Sequence, residues 1–153
     1  RAAEVVGCEQ SSGTFVQVPG ETADLRASFS ASVKRIEPLE SVDAPADIAG
    51  GRYEPWAGDI AELAKSPNVV CKFSGLLNCA PPGADQDKLR PYADHVLSSF
   101  GTDRVVWASD WPPLDLVASY QRWHDVSRAL LAGLAKKDRA MIFGGNTERI
   151  YRL

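Results

Sequence analysis

Three polar residues lie at or just beyond the ends of short apolar segments: Lys72 and Ser74 in one segment, and Asp110 after another. An ionised aspartate can accept a proton from water as a general base, or it can ligate a metal ion. A lysine ammonium can pair with a substrate anion as a point charge. Together these residue types could activate a water molecule beside a bound anionic group.

Two predicted strands, at residues 69–74 and 104–109, must position these side chains. Both are short and rich in valine, which is typical of a sheet covered by helices. Because side chains alternate along a strand, Lys72 and Ser74 share one face, and Asp110 continues the corresponding face of the second strand if the alternation holds. Ligands bind at the carboxyl ends of parallel strands. We therefore expect all three residues to face inward at that edge.

Apolar periodicity predicts helices around both strands. One begins near Pro55, a second covers residues 91–101, a long one covers about 116–134, and a short one covers 138–143, with Asn146 capping a last turn. The alternation of helix and strand implies that the two strands pair in parallel. A complete eight-fold barrel needs roughly 250 residues, so 153 residues fit either a small open α/β sheet or the second half of a barrel.

Residues 1–46 are harder to interpret and are treated as a separate leader. Residues 14–18 predict a short strand that ends at Pro19-Gly20. Residues 25–33 fit both a strand and a helical stripe, and their serines favour the strand. Residues 37–53 contain prolines and a glycine pair, and they predict a loop.

Composition excludes several classes of protein. The chain is 44% hydrophobic with a net charge of -3, which indicates one globular domain without the basic surface of a nucleic-acid-binding protein. It contains no apolar run long enough for a membrane span. Two histidines and three widely spaced cysteines exclude a zinc finger, and a reducing cytoplasm is the simpler location. The chain begins with Arg1 and no apolar leader, which we interpret as a processed chain or a piece of a longer one.

Each candidate residue also has a structural explanation. Asp110 precedes a Trp-Pro pair and could form a turn, Lys72 could belong to an ion pair, and Ser74 could be a turn residue. No Gly-x-Ser-x-Gly surrounds the serine, so a nucleophile elbow is not expected. His95 and His124 fall on predicted helices, and we interpret them as surface or packing residues.

A series of short motifs runs through the last two thirds of the chain. The motifs are Cys71-Lys72-Phe73-Ser74-Gly75-Leu76, Leu89-Arg90-Pro91-Tyr92, Asp94-His95-Val96-Leu97, Phe100-Gly101-Thr102-Asp103-Arg104, Ala108-Ser109-Asp110-Trp111-Pro112, and Ile142-Phe143-Gly144-Gly145-Asn146 followed by Arg149, Tyr151 and Leu153. In order and spacing they resemble the amidohydrolase-related (amidohydrolase 2) family, which includes sugar-acid lactonases. The resemblance extends from about Asp47 to Leu153.

The resemblance implies an eight-fold α/β barrel of the TIM type, in which residues 69–74 form the seventh strand and residues 104–109 the eighth. It implies a hydrolase that acts on lactones or related cyclic esters or amides of small acidic compounds. Asp110 would be the catalytic base, or it would ligate a divalent metal such as zinc where one is bound. Lys72, Ser74 and Trp111 are the expected substrate-binding residues.

Two parts of the family pattern are missing from this chain. There is no His-x-His strand, and residues 42–48 stand where the family carries Asp-His and Lys-Pro pairs. We therefore expect the carboxyl-terminal part of a barrel, residues 47–153, that lacks the histidine ligands of a metal. Two functions remain open: a hydrolase with Asp110 in its site, or a non-catalytic module that requires another half-barrel or a second copy. The expected partner in either case is a small-molecule substrate or that second half, and not a nucleic acid or a membrane.

Overall fold

The computed structural model describes residues 14–20, 38–44 and 46–153. The described strands form one sheet in the order β2–β1–β3–β4. Their bounds are β1 Thr14–Gly20, β2 Pro38–Ala44, β3 Val70–Phe73 and β4 Val105–Trp107. The strand interpretation of residues 25–33 falls outside the described residues, as does Cys8.

The pairing of β3 with β4 confirms the prediction that matters most for the site. The two strands run parallel, with Lys72 opposite Val106 and Phe73 opposite Trp107. Each strand is a residue or two shorter at its ends than predicted. Because the last residues of both strands are paired with each other, their carboxyl ends lie at the same edge of the sheet.

The other half of the sheet is antiparallel and was only partly predicted. β1 pairs antiparallel with both β2 and β3, so the sheet is mixed. The strand at β1 agrees with the prediction for residues 14–18, but the loop predicted for 37–53 is wrong over β2. Pro38 is the first residue of β2, a position at the end of a ladder where proline is tolerated. Composition indicated a loop because it carries no information about long-range pairing.

Helices account for most of the remaining described residues. The first three are α1 Trp56–Ala64, the single turn α2 Leu76–Cys79 and α3 Gln86–Phe100. They are followed by α4 Tyr120–Leu130, α5 Lys136–Ala140 and α6 Asn146–Tyr151.

Several predicted helix boundaries are wrong. α4 ends at Leu130 and not near 134, and α5 covers Lys136–Ala140 and not 138–143. Capping side chains set the starts of two predicted helices, α3 and α4. α3 begins before Pro91, since the Asp85 carboxylate accepts hydrogen bonds from the backbone N–H groups of Asp87 and Lys88. α4 begins at Tyr120, four residues later than the predicted start near 116, and the hydroxyl of the preceding Ser119 accepts from the N–H of Arg122. A short 3₁₀ turn, Pro113–Leu116, occupies the segment before it.

Asn146 does not cap the last turn, contrary to the sequence prediction. A π turn, Met141–Gly145, joins α5 directly to α6, so no new helix start needs a cap. Asn146 is buried, and its amide donates to the carbonyl oxygens of Thr102 at 2.7 Å and Val105 at 2.8 Å. This side chain therefore holds the amino end of β4.

The core lies between one face of the sheet and the helices. Cys71 and Phe73 of β3 are fully buried on that face, and the Phe73 ring stacks on Trp123 of α4 with centroids 5.6 Å apart. The opposite residues of β3, Val70 and Lys72, are only partly buried. The predicted division of β3 into an apolar face and a smaller or more polar face is thus confirmed.

Two arginines close the carboxyl ends of helices, where backbone carbonyls lack partners within the helix. Arg90 of α3 donates to the carbonyls of Ala129 and Leu130 at the end of α4. Arg104 donates to the carbonyl of Ala64 at the end of α1. These bonds connect neighbouring layers of the fold. Among the described residues, no helix is both long enough and apolar enough to cross a membrane.

We predict that Asn146→Ala destabilises the protein by about 2–3 kcal/mol, because buried carbonyls beside β4 lose their donor. Chemical denaturation followed by circular dichroism measures the change. Asn68→Ala is the matched control, since Asn68 is exposed and should change stability by less than about 0.5 kcal/mol. Equal stability of the two variants would contradict the role of Asn146.

Candidate active site

Asp110 lies in a turn beyond the carboxyl end of β4. The strand ends at Trp107, so the alternation used in the sequence prediction does not reach Asp110. Its φ angle is 63°, in the left-handed region that only glycine adopts freely and that aspartate tolerates better than most residues. The N–H of Leu114 donates to its carbonyl oxygen at 2.8 Å. The direction of this side chain is therefore set by the turn and not by strand parity.

The Asp110 carboxylate is partly withdrawn from solvent. The residue as a whole is partly buried, and its Oδ2 atom is buried. A left-handed, partly buried aspartate persists only where the surrounding structure holds it. This combination makes Asp110 the strongest candidate for a chemical role among the described residues.

Two tryptophan side chains hold β4 and the start of this turn against α4. The indole N–H of Trp123 donates to the Ala108 carbonyl at 2.8 Å, two residues before Asp110. The indole N–H of Trp107 donates to the Ser127 hydroxyl at 2.9 Å, and that hydroxyl donates to the carbonyl of Trp123. Sequence analysis missed these bonds, although a buried indole N–H normally requires an acceptor.

Lys72 lies at the same end of the sheet as Asp110. It is the penultimate residue of β3, and its pairing partner Val106 lies four residues before Asp110. Burial lowers the pKa of the Lys72 ammonium below its ordinary value, because removal from water disfavours the charged form. Lys72 makes no ion pair within residues 46–153. The alternative that it belongs to a structural ion pair therefore has no support in that part of the chain.

Ser74 and Trp111 differ sharply in exposure. Ser74 is only 1% exposed, and its N–H donates to the carbonyl of Lys72. Trp111 is 71% exposed and follows Asp110 directly. Of these two predicted substrate-binding residues, only Trp111 presents its side chain to solvent.

Asn78 is a residue of this region that sequence analysis did not single out. It lies on α2, the turn of helix that follows β3. Its amide Nδ2 donates to the carbonyl of Pro113 at 2.9 Å, and its Oδ1 is buried. Asn78 thus connects the segment after β3 to the segment after β4. The sequence signal for Asn78 was weak: a single polar residue between Leu77 and the pair Pro81-Pro82.

Both histidines have packing roles, as the sequence indicated. The His95 Nε2 lies 2.8 Å from the carbonyl of Ala57, and its ring contacts Tyr53 and Trp56. The ring of His124 contacts Trp107 edge to face.

The described residues do not form a metal site. They contain no group of three or more histidine, cysteine, aspartate or glutamate side chains arranged to hold a metal ion. Cys71 is fully buried, and burial raises the pKa of its thiol far above the ordinary range, so this sulfur remains protonated. A cleft of about 710 Å³ between α4 and α5 contains neither Asp110 nor Lys72; it is lined by His124, Asp125, Arg128, Ala129, Ala132, Lys136, Arg139, Ala140 and Phe143.

Sequence comparison finds a family profile and several relatives that resemble this chain. The profile of the amidohydrolase family matches residues 44–153. An L-fucono-1,5-lactonase of Burkholderia ambifaria is 39% identical over 110 residues, which are 69% of this chain and 38% of that enzyme. A 4-sulfomuconolactone hydrolase of Rhizobium radiobacter is 35% identical over 69 residues, which are 40% of this chain and 23% of that enzyme.

Structural comparison agrees with the sequence. An amidohydrolase of Burkholderia multivorans, solved with bound zinc, superposes with a TM-score of 0.63 at 30% identity. The match covers 70% of this chain and 40% of that structure. The chain therefore spans about two fifths of the length of the two Burkholderia proteins and about a quarter of the 4-sulfomuconolactone hydrolase. Because the family profile covers well over half of it, the chain belongs to the amidohydrolase family.

Proposed function

We propose that this chain contributes the last βα units of a TIM-type barrel that hydrolyses lactones, with β3 and β4 as its seventh and eighth strands. The observation that carries the proposal is Asp110, held in a left-handed turn at the carboxyl end of a parallel strand pair. Barrel enzymes build their active sites at that end. Lactone-hydrolysing relatives at 35–39% identity support the substrate class.

Asp110 acts as the base in the proposed reaction. Its ionised carboxylate accepts a proton from a water molecule, whose oxygen attacks the lactone carbonyl carbon. The tetrahedral adduct collapses by breaking the ring C–O bond, and the protonated carboxyl returns the proton to the leaving alkoxide. One water is consumed and one hydroxy acid is released. The turn around Asp110 supports this role, since a base must be oriented before it can act.

Lys72 binds the acidic group of the substrate in this proposal. A partly desolvated ammonium that makes no ion pair within residues 46–153 gains more from a bound anion than a fully hydrated one would. The exposed Trp111 provides an apolar surface beside the base, and the buried Ser74 supports the backbone after Lys72. The acidic substituent of the substrate would therefore lie near β3 and the scissile bond near β4.

A divalent metal, as in the Burkholderia multivorans relative, would require ligands from outside the described residues. Asp110 could supply one ligand of such a site, and three protein ligands are typical of catalytic zinc. The described residues alone do not fit a metal ion, so the steps above use only the chain's own groups.

A second candidate is a non-catalytic module that joins another half-barrel or a second copy of this chain. Within the described residues, β4 pairs only with β3 and therefore presents a strand edge. Unpaired edges favour association with another strand. In this alternative, an active site would form only after the chain associates with another half-barrel or a second copy.

We predict that Asp110→Asn reduces the rate of lactone hydrolysis at least about 100-fold, because the amide cannot accept the proton from water. Hydrolysis of a sugar-acid 1,5-lactone, followed with a pH indicator, measures the rate.

Asp115→Asn is the matched control, since Asp115 is exposed in the same segment and should retain the parent rate. Equal rates for both variants would contradict the role of Asp110. A parent protein without any lactone hydrolysis would favour the non-catalytic module.

We also predict that Lys72→Met stabilises the protein at neutral pH, because the folded state no longer contains a desolvated ammonium. The folded pKa of Lys72 is lowered, so the unfolded state binds more protons between that pKa and the ordinary value. The unfavourable contribution of Lys72 to the free energy of folding is fully present below its folded pKa. It disappears as the pH rises from the folded pKa to the ordinary pKa of lysine. The stability difference between Lys72→Met and the parent should therefore shrink at alkaline pH.

Urea denaturation at several pH values between neutral and alkaline measures this difference. Lys88→Met is the matched control, because Lys88 is exposed on α3. A stability gain for Lys72→Met that did not vary with pH would show that packing, and not charge, is responsible.

A further inference from the structure

We propose that Asn78 is a positioning residue that holds the turn bearing Asp110, and thereby orients the base of the proposed lactonase. This inference rests on the proposed function for its chemical consequence. The structural evidence for it is a set of hydrogen bonds that connects the segment after β3 to the segment after β4.

The orientation of the Asn78 amide follows from its partner. The Pro113 carbonyl can only accept, so the Asn78 Nδ2 must face it, at a distance of 2.9 Å. Oδ1 then points the other way, where it is buried and finds no hydrogen-bond partner among the described residues. A buried acceptor without a partner is unfavourable for folding. The stability of the fold is thus a poor explanation for an asparagine here, and the bond to Pro113 is what the side chain provides.

The bond from Asn78 reaches Asp110 in two further steps. Pro113 begins the 3₁₀ turn that also contains Leu114, whose side chain is 2% exposed. The Leu114 N–H donates to the Asp110 carbonyl at 2.8 Å, which closes the turn that holds Asp110 at positive φ. Fixing the carbonyl of Pro113 therefore restrains the carboxyl end of the Asp110 turn, which the Leu114 N–H connects to Asp110.

The backbone of Asn78 is held in place by a hydrogen bond and by its buried neighbours. Its N–H donates to the carbonyl of Gly75 at 3.1 Å within α2. Leu76 and Leu77 of the same helical turn are buried in the core. The side chain therefore extends from packed structure on the β3 side toward the less regular segment on the β4 side.

The expected chemical effect of losing this bond is on the reaction step. A turn released from Pro113 would sample orientations in which the Asp110 carboxylate is misplaced, and small misplacements of a base reduce the rate strongly. Lys72, on β3, would keep its place, so the binding of an acidic substrate would change less.

Asn78→Asp tests the proposal, because the substitution preserves shape but replaces the donor with an oxygen that the Pro113 carbonyl repels. Asn68→Asp is the matched control, since it adds the same charge at an exposed position. Asn78→Ala is a second variant that removes the donor without adding charge. Amide hydrogen exchange reports on the turn through Leu114 and on the sheet through Ala108, whose N–H donates to the Phe73 carbonyl.

We expect exchange at Leu114 to accelerate about tenfold or more in both Asn78 variants, with Ala108 unchanged, because local opening does not require global unfolding. Asn68→Asp should match the parent at both amides. An unchanged Leu114, or an equal acceleration at Leu114 and Ala108 in both variants, would overturn the positioning role.

Enzyme kinetics distinguish a positioning role from a purely structural one, because a positioning residue affects kcat more than KM. With a lactone substrate, Asn78→Asp should lower kcat about 10- to 100-fold and change KM much less. A parallel rise in KM without loss of kcat would overturn the proposal. Absence of lactone hydrolysis in the parent protein would refute the proposed function, while the exchange experiment would still decide whether Asn78 holds the turn.

Discussion

The position of β4 depends on side-chain hydrogen bonds to its backbone. The strand is only three residues long and has a single neighbour within the described sheet, so ladder bonds alone hold it weakly. Asn146 holds the amino end, and the indole of Trp123 holds the carbonyl of Ala108 beyond the carboxyl end. Because Asp110 follows only two residues later, these contacts also determine where the candidate base lies.

The two faces of β3 differ in burial and in polarity. Phe73 and Cys71 are buried against the helices, where the stacked ring of Trp123 completes the core. Lys72 lies on the other face, and its desolvation raises the free energy of the folded state at neutral pH. A bound anion would offset that cost, which is consistent with the substrate-binding role proposed for Lys72.

The chain belongs to the amidohydrolase family but spans only about two fifths of the length of its two Burkholderia relatives. The matching part contains the candidate base and a candidate anion-binding group. The described residues contain no group of side chains able to hold a metal. The division is understandable if any further metal ligands reside on strands of the barrel other than β3 and β4.

The sequence by itself determined the parallel pair, its apolar face and the approximate place of most described helices, because these follow from local periodicity and from the order of elements. Motif order identified the family. The sequence did not predict β2 or the antiparallel pairing of β1 with β3, since long-range pairing leaves little trace in composition.

Only the tertiary structure decided the details of the site. The turn at Asp110, the bond from Asn78 to Pro113, and the bond from Asn146 to Val105 each join residues through a backbone carbonyl. Every residue type has such a carbonyl, so no sequence pattern distinguishes the acceptor. The donors were visible in the sequence, but their partners are defined only when the folded chain brings them within hydrogen-bond distance.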